Sequence, residues 1–189
     1  MKYKICISGS AGKYDPKVAK LAQKVGREIA RRGYVVVTGA TVGISFEAAK
    51  AAKKAGGLVV GFSPAGSEDE HVKKMRLPES KHFDYVVYTK SGYTGRNLLM
   101  VRSCDATIVI NGRVGTLNEF TCAYEENEIA GVLEGSGGIA DEIRRILEIA
   151  KKGKRKVFFE RDPIKIVEET IKRIRAEKRK KKKLHLEYK

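Results

Sequence analysis

"INGRVGTLNEF", residues 110–120, ends an apolar run at Ile110. It then passes through two glycines and an arginine to a threonine, with a glutamate three residues later. The run before it, "ATIVI" (106–110), has the length and β-branched content of a buried strand. The residues after the turn are spaced as a helix reaching about Glu126. A strand, a glycine turn and a helix in that order are half of a βαβ unit. Whether the chain repeats the unit decides the fold.

It does repeat it. Lys4–Ser8 is a short apolar strand followed by "GSAG". Asp15-Pro16 opens a helix, because Asp can cap and Pro fits the first turn. Val18, Leu21, Ala22, Val25 and Ile29 then recur at helical spacing until Gly33. "YVVVTG" (34–39), the helix 44–57 and "LVVGF" (58–62) continue the alternation. So do "YVVYT" (85–89), a helix over Arg96–Ser103, "IAGVL" (129–133), a helix over 139–152, "KVFFE" (156–160) and a last helix from Pro163. In that last helix Ile164, Val167, Ile171 and Ile174 form an apolar stripe, beyond which the helix has nothing to bury. The polar stretch 63–82, with Pro64 and Pro78, is long enough to serve as a lid or binding loop. The expected fold is α/β, a doubly wound, Rossmann-like parallel sheet with helices on both faces and right-handed crossovers. Residues 1–171 form the one domain, and 172–189 a basic helical extension.

Composition limits the function classes. The net charge of +16 suggests nucleic acid, but residues 151–189 hold 17 Lys/Arg against 6 Asp/Glu, so most of the excess sits near one end. Charge runs such as "KRIRAEKRKKKK" (172–183) are usually solvated, and no aromatics interleave it for stacking on single strands. At most weak, non-specific phosphate binding is expected there. Cys6, Cys104 and Cys122 are scattered, as are the three histidines, so neither a disulfide framework nor a metal site is expected. No cofactor is called for. Apolar runs are too short to span a bilayer and the N-terminus lacks a signal-peptide pattern, which predicts a cytoplasmic protein with no membrane partner.

In a doubly wound sheet, ligands bind outside the carboxyl ends of the strands. Three glycine-rich turns should meet on that rim: "SGSAG" (8–12), "TGATVG" (38–43) and "NGRVGT" (111–116). None is a P-loop or a dinucleotide fingerprint. Together they point to a phosphate-bearing ligand, touched by Gly9, Ser10, Gly39, Gly43, Gly112, Gly115 and Thr116. A phosphate at the start of the last of these helices would accept from the N–H groups of Gly115, Thr116 and Leu117. Yet "TLNE" also fits a capping box, in which Glu119 folds back to the helix start. The sequence leaves both readings open. Arg96 in "SGYTGRN" sits at the expected start of a helix, where a cation is disfavoured unless an anion is near.

The segments "CISGSAG" (6–12), "VVVTGATVGISFEAAKAAKKAGGLVVGFSP" (35–64) and "YTGRNLLMVRSCDATIVINGRVGTLNEF" (93–120) resemble the Lonely Guy (LOG) family, once described as lysine decarboxylase-like. Closer still is its relative, the molybdenum-cofactor-carrier-like group. The resemblance covers about residues 1–170. It implies a Rossmann-like homodimer or larger assembly that hydrolyses the N-glycosidic bond of a nucleoside 5′-monophosphate. By position it makes Arg96 and Glu119 the catalytic pair, and Gly115 and Thr116 part of the phosphate turn. Asn111 replaces the family's proline, Arg113 its second glycine, and Asn97 the usual lysine. Asn97 and Arg113 join the ligand-binding candidates. Arg113 could add a phosphate contact or fill the pocket. The alternative function is a non-catalytic carrier of a nucleotide or molybdopterin-type ligand. A dimer burying more than roughly 1,000 Å² is expected, with the alanine-rich helix 44–55 and the segment 122–133 as candidate contacts.

Overall fold

The computed structural model describes residues 2–151, 153 and 155–187. Seven strands form one sheet: β1 (Lys4–Gly9), β2 (Val35–Thr38), β3 (Val59–Ser63), β4 (Tyr85–Tyr88), β5 (Ala106–Ile110), β6 (Ile129–Leu133) and β7 (Val157–Glu160). All neighbours are parallel, in the order β4-β3-β2-β1-β5-β6-β7. The chain winds outward from β1 in one direction to β4. It then returns to place β5 on the other side of β1 and winds outward again. The strand order therefore switches between β1 and β5, where such sheets open a crevice at their carboxyl ends. The expected α/β doubly wound fold is the observed one.

Side-chain alternation along each strand sends successive residues to opposite layers. Ile5, Ile7, Ile108 and Ile110 pack beneath α1 (Pro16–Arg31), α2 (Ile44–Lys54) and α6 (Lys165–Glu187). On the other face, α3 (Gly92–Arg102), α4 (Val114–Glu125) and α5 (Ile139–Ala150) cover Cys6, Val109 and Val132. Asp15 caps α1 as expected, its side chain accepting from the Lys17 N–H at 2.7 Å. Ala48, Ala49, Ala51 and Ala52 of α2 are all buried within the subunit. A methyl group on Gly26 of α1 would lie 2.1 Å from the Ala48 carbonyl oxygen, so the two helices touch backbone to backbone. The small residues of α2 thus serve this intrachain contact and leave no alanine face for another subunit.

Three helix starts differ from the sequence reading: α6 begins at Lys165 and not at Pro163, and the other two shape the site. α3 begins at Gly92, so Arg96 stands in its second turn and not at its positive end. The glycines at 92 and 95 weaken the propensity signal without preventing the turn. α4 begins at Val114 with Arg113 as its N-cap, which puts Thr116 inside the first turn. The segment 63–82 is also more ordered than its composition suggests. It holds a π turn at Glu70–Lys74 and a 3-10 turn at Ser80–His82. The fully buried His71 ring bridges its ends. Nε2 lies 2.9 Å from the Pro78 carbonyl and Nδ1 2.8 Å from Ser63 Oγ. A carbonyl can only accept, so Nε2 donates to it.

α5 was expected to reach residue 152, which lies outside the described residues; it ends at Ala150. α6 runs unbroken through 171 and 172, with Ile166, Val167, Ile171 and Ile174 buried and Ile164 only part-buried before its first turn. Residues 188 and 189 of the basic extension also lie outside the described residues. Among the described residues no helix is long and apolar enough to cross a membrane.

Candidate nucleotide-binding cleft

The switch point holds a cleft of about 330 Å³. Its floor and walls come from the β1–α1 turn (Gly9, Ser10, Gly12), from α3 (Tyr93, Arg96, Asn97), from the start of α4 (Arg113, Gly115, Thr116, Glu119) and from Thr41. Of the candidates read from sequence, eight line it: Gly9, Ser10, Arg96, Asn97, Arg113, Gly115, Thr116 and Glu119. Gly39, Gly43 and Gly112 stand behind the wall and shape it. A Cβ on Gly39 would lie 1.7 Å from Arg96 Nη1, so the guanidinium rests directly on that glycine. Gly43 has φ +95° and caps α2 while Ile44 N–H donates to the Ser10 carbonyl at 2.8 Å. Any side chain at 43 would meet that carbonyl at 2.0 Å, so the first two glycine turns are joined backbone to backbone. Gly112, at φ +111°, makes room for Thr116, which folds back over the turn.

Arg96 and Glu119 face each other at the base, 4% and 8% exposed, with Nη1 and Oε1 3.6 Å apart. That distance is an ion pair without a good hydrogen bond. The guanidinium is poorly satisfied: Nη1 reaches Met100 Sδ at 3.5 Å, and the buried Nε has no partner among the described residues. Ser8 Oγ donates to Glu119 Oε2. The Asn97 and Asn118 amides face one another at 2.8 Å. With its nitrogen turned inward, Asn97 donates to the Tyr93 carbonyl at 3.0 Å and to Glu119 Oε1 at 3.1 Å. Burial pushes the Glu119 carboxyl above the ordinary glutamate value, opposed by the Arg96 cation and the Ser8 hydroxyl. Burial likewise lowers Arg96, opposed chiefly by Glu119. The guanidinium remains charged, since arginine starts so far above neutrality.

The capping box does not form. Glu119 reaches across to β1 and α3, and α4 has no side-chain cap. The N–H of Leu117 is bound to the Arg113 carbonyl at 3.0 Å and is not available to a ligand. The open donors of this helix end are those of Val114, Gly115 and Thr116. Asn111, at φ +56°, ties the turn to its neighbour: its N–H donates to Ser136 Oγ at 2.7 Å and its amide to the Ser136 carbonyl at 2.8 Å. It holds the loop and does not line the cleft.

Sequence reasoning missed Ser8, Thr41 and Tyr93. Ser8 was recoverable, because strand alternation from Cys6 puts it on the α4 face. Tyr93 was hidden by placing the start of α3 four residues late. Among the described residues, no cluster of three His, Cys, Asp or Glu side chains could hold a metal ion.

Known proteins share both the sequence pattern and the fold. The model of the SLOG cluster4 family matches residues 2–167. An uncharacterized protein of Archaeoglobus fulgidus is 34% identical over 118 residues, which span 62% of this chain and 72% of that one. The molybdenum cofactor binding protein of the phototrophic bacterium Rippkaea orientalis is 26% identical with a TM-score of 0.75, over 92% of this chain and 98% of that one. The molybdenum cofactor carrier protein of Chlamydomonas reinhardtii has a TM-score of 0.72 over 93% and 99% of the two chains; at 22% identity it attests the shared fold.

Proposed function

The chain belongs to the SLOG cluster4 family, and from that premise we propose that it binds a nucleoside 5′-monophosphate and hydrolyses its N-glycosidic bond. The observation that carries this reading is the Arg96–Glu119 pair, buried at the foot of a cleft whose rim is a helix N-terminus. The open N–H groups of Val114, Gly115 and Thr116, with the Thr116 hydroxyl, would receive the phosphate. Tyr93, half-exposed in the wall, offers a ring face for the base. The sugar would then lie over Glu119.

Breaking the bond between C1′ and the base nitrogen builds positive charge on the sugar ring. An ionised Glu119 can stabilise that charge, or take a proton from the water that bonds to C1′ while the departing base gains one. Ser8 fixes one carboxylate oxygen and leaves the other toward Arg96 and the cleft. No step requires a metal. The Lonely Guy resemblance of "TGRN" and "GTLNE" supports the same assignment.

A second reading is favoured by one feature. Arg113 stands where a glycine would open the turn, and its side chain lies across the cleft mouth against Gly12. A cation there suits retention of a phosphorylated ligand without turnover. It agrees with the R. orientalis relative, a molybdenum cofactor binding protein. One experiment separates the two. The protein is incubated with AMP, GMP and CMP, free base and ribose 5-phosphate are assayed, and native mass spectrometry is run on the same preparation. Release above a Glu119→Ala control is expected. No release, with an intact phosphorylated ligand bound, would give the carrier reading.

A further inference from the structure

Arg113 is the cation the Lonely Guy pattern does not contain. It caps α4 in extended conformation (φ −130°, ψ −162°), and its guanidinium lies over the β1–α1 turn. A Cβ on Gly12 would be 2.3 Å from Nη1, 2.4 Å from Cζ and 2.7 Å from Nη2. The whole planar head therefore rests on that glycine. Among the described residues Arg113 makes no side-chain hydrogen bond or ion pair. A free guanidinium beside the positive end of a helix is unfavourable by itself, because the two like charges repel.

Charge balance distinguishes the two arginines of the cleft. Arg96 is paired with Glu119, so together they contribute no net charge. Its buried Nε has no hydrogen-bond partner among the described residues, so this guanidinium, which lines the cleft, is not fully satisfied by the protein. What remains is Arg113 and the α4 terminus, about +1.5 in all, counting the helix end as about +0.5. A phosphomonoester carries about −1.5 to −2 near neutrality. The match is to one terminal phosphate dianion.

We propose that Arg113, not Arg96, supplies the net charge by which the cleft selects a terminal phosphomonoester, closing over it from its seat on Gly12. This rests on reading the cleft as a nucleotide site, and it reassigns the phosphate clamp within that site. Arg96 is left to position Glu119 and to hydrogen-bond a ligand oxygen. Arg113→Ala removes the clamp. Gly12→Ala keeps the arginine but displaces its head, and the fold can absorb this because the displaced atoms end a flexible side chain.

The test is calorimetric titration of AMP, adenosine and inorganic phosphate into the wild type and both variants, with thermal melts to confirm folding. The expected result is that wild type prefers AMP over adenosine and that each variant loses about 10- to 100-fold of that preference. An unchanged preference in Arg113→Ala would overturn the proposal and leave the nucleotide reading standing. An equal fall for AMP and adenosine would also overturn it, since the arginine would then be structural. Phosphate binding that depends on Arg113, without any nucleotide binding, would uphold the clamp and remove the nucleotide reading. Binding of none of the three probes to wild type would remove both.

Discussion

Glu119 meets Ser8 because β1 turns alternate residues toward α4, and because α4 begins at Val114, which turns its sixth residue inward. Neither fact is local to "TLNE". The tetrapeptide allows a capping box or an inward carboxylate, and the neighbouring strand chooses. This marks the limit of the sequence reading: the motif singled out Arg96 and Glu119, while the strand alternation that carries Ser8 to Glu119 was legible in β1 but lies far from the motif in the chain. The same contact bears on pH. Burial disfavours the charged carboxylate and raises its pKa, whereas the Ser8 hydroxyl favours the charged form and lowers it. Ser8→Ala should therefore move the Glu119 midpoint further up, and any activity needing the ionised form should fail at higher pH on its acid side. Carbon NMR of labelled glutamate side chains across the acid-to-neutral range checks this. A midpoint at or below that of the wild type would contradict it.

Among the elements, α6 divides into two parts with different duties. Ile166, Val167, Ile171 and Ile174 pack against the sheet, and the pattern of apolar residues in the sequence reported this correctly for all but Ile166, which it did not include. Past Ile174 the attachments are polar: Lys156 to Glu177 at 2.9 Å and Lys178 to Asp105 at 2.7 Å. Partly exposed pairs of this kind contribute less than about 1 kcal/mol each. Deleting 178–189 should therefore lower stability by no more than about 1 kcal/mol, whereas Ile174→Ala should cost about 2–4 kcal/mol. The same deletion should abolish the weak, steeply salt-dependent nucleic-acid binding expected of nine basic residues in 172–183. Urea melts and binding at two salt concentrations test both halves. Binding that persists at high salt, or in the truncated chain, would show a specific interface elsewhere. The helix starts read too late in the sequence were those of α3 and α4, since both begin at glycine-rich turns whose local preferences are weak. They are also the two helices that line the cleft.

At the scale of the whole molecule, four of the eight large apolar side chains exposed among the described residues lie on α3 and α4, where the alanine-based reading did not place a contact. Leu98 and Leu99 of α3 are 38% and 46% exposed, and Val114 at the head of α4 is 80% exposed. We expect a dimer or larger assembly to form through this side of the molecule, with the basic end of α6 outside the contact. Light scattering at low micromolar concentration should give at least twice the 21.0 kDa subunit mass, and Leu99→Glu should shift it toward the monomer. A monomeric wild type throughout a dilution series would refute the expectation. The side on which the cleft can adapt is set by the join between its first two turns. With the Ser10 carbonyl clasped by the Ile44 amide and α1 lying backbone to backbone on α2, one jaw of the cleft is a fixed anvil. Any tightening around a guest must come from the opposite jaw, where Tyr93 and Arg113 are carried by α3 and α4. If those helices also meet a neighbouring subunit, occupancy of one cleft would be felt mechanically at the seam between copies.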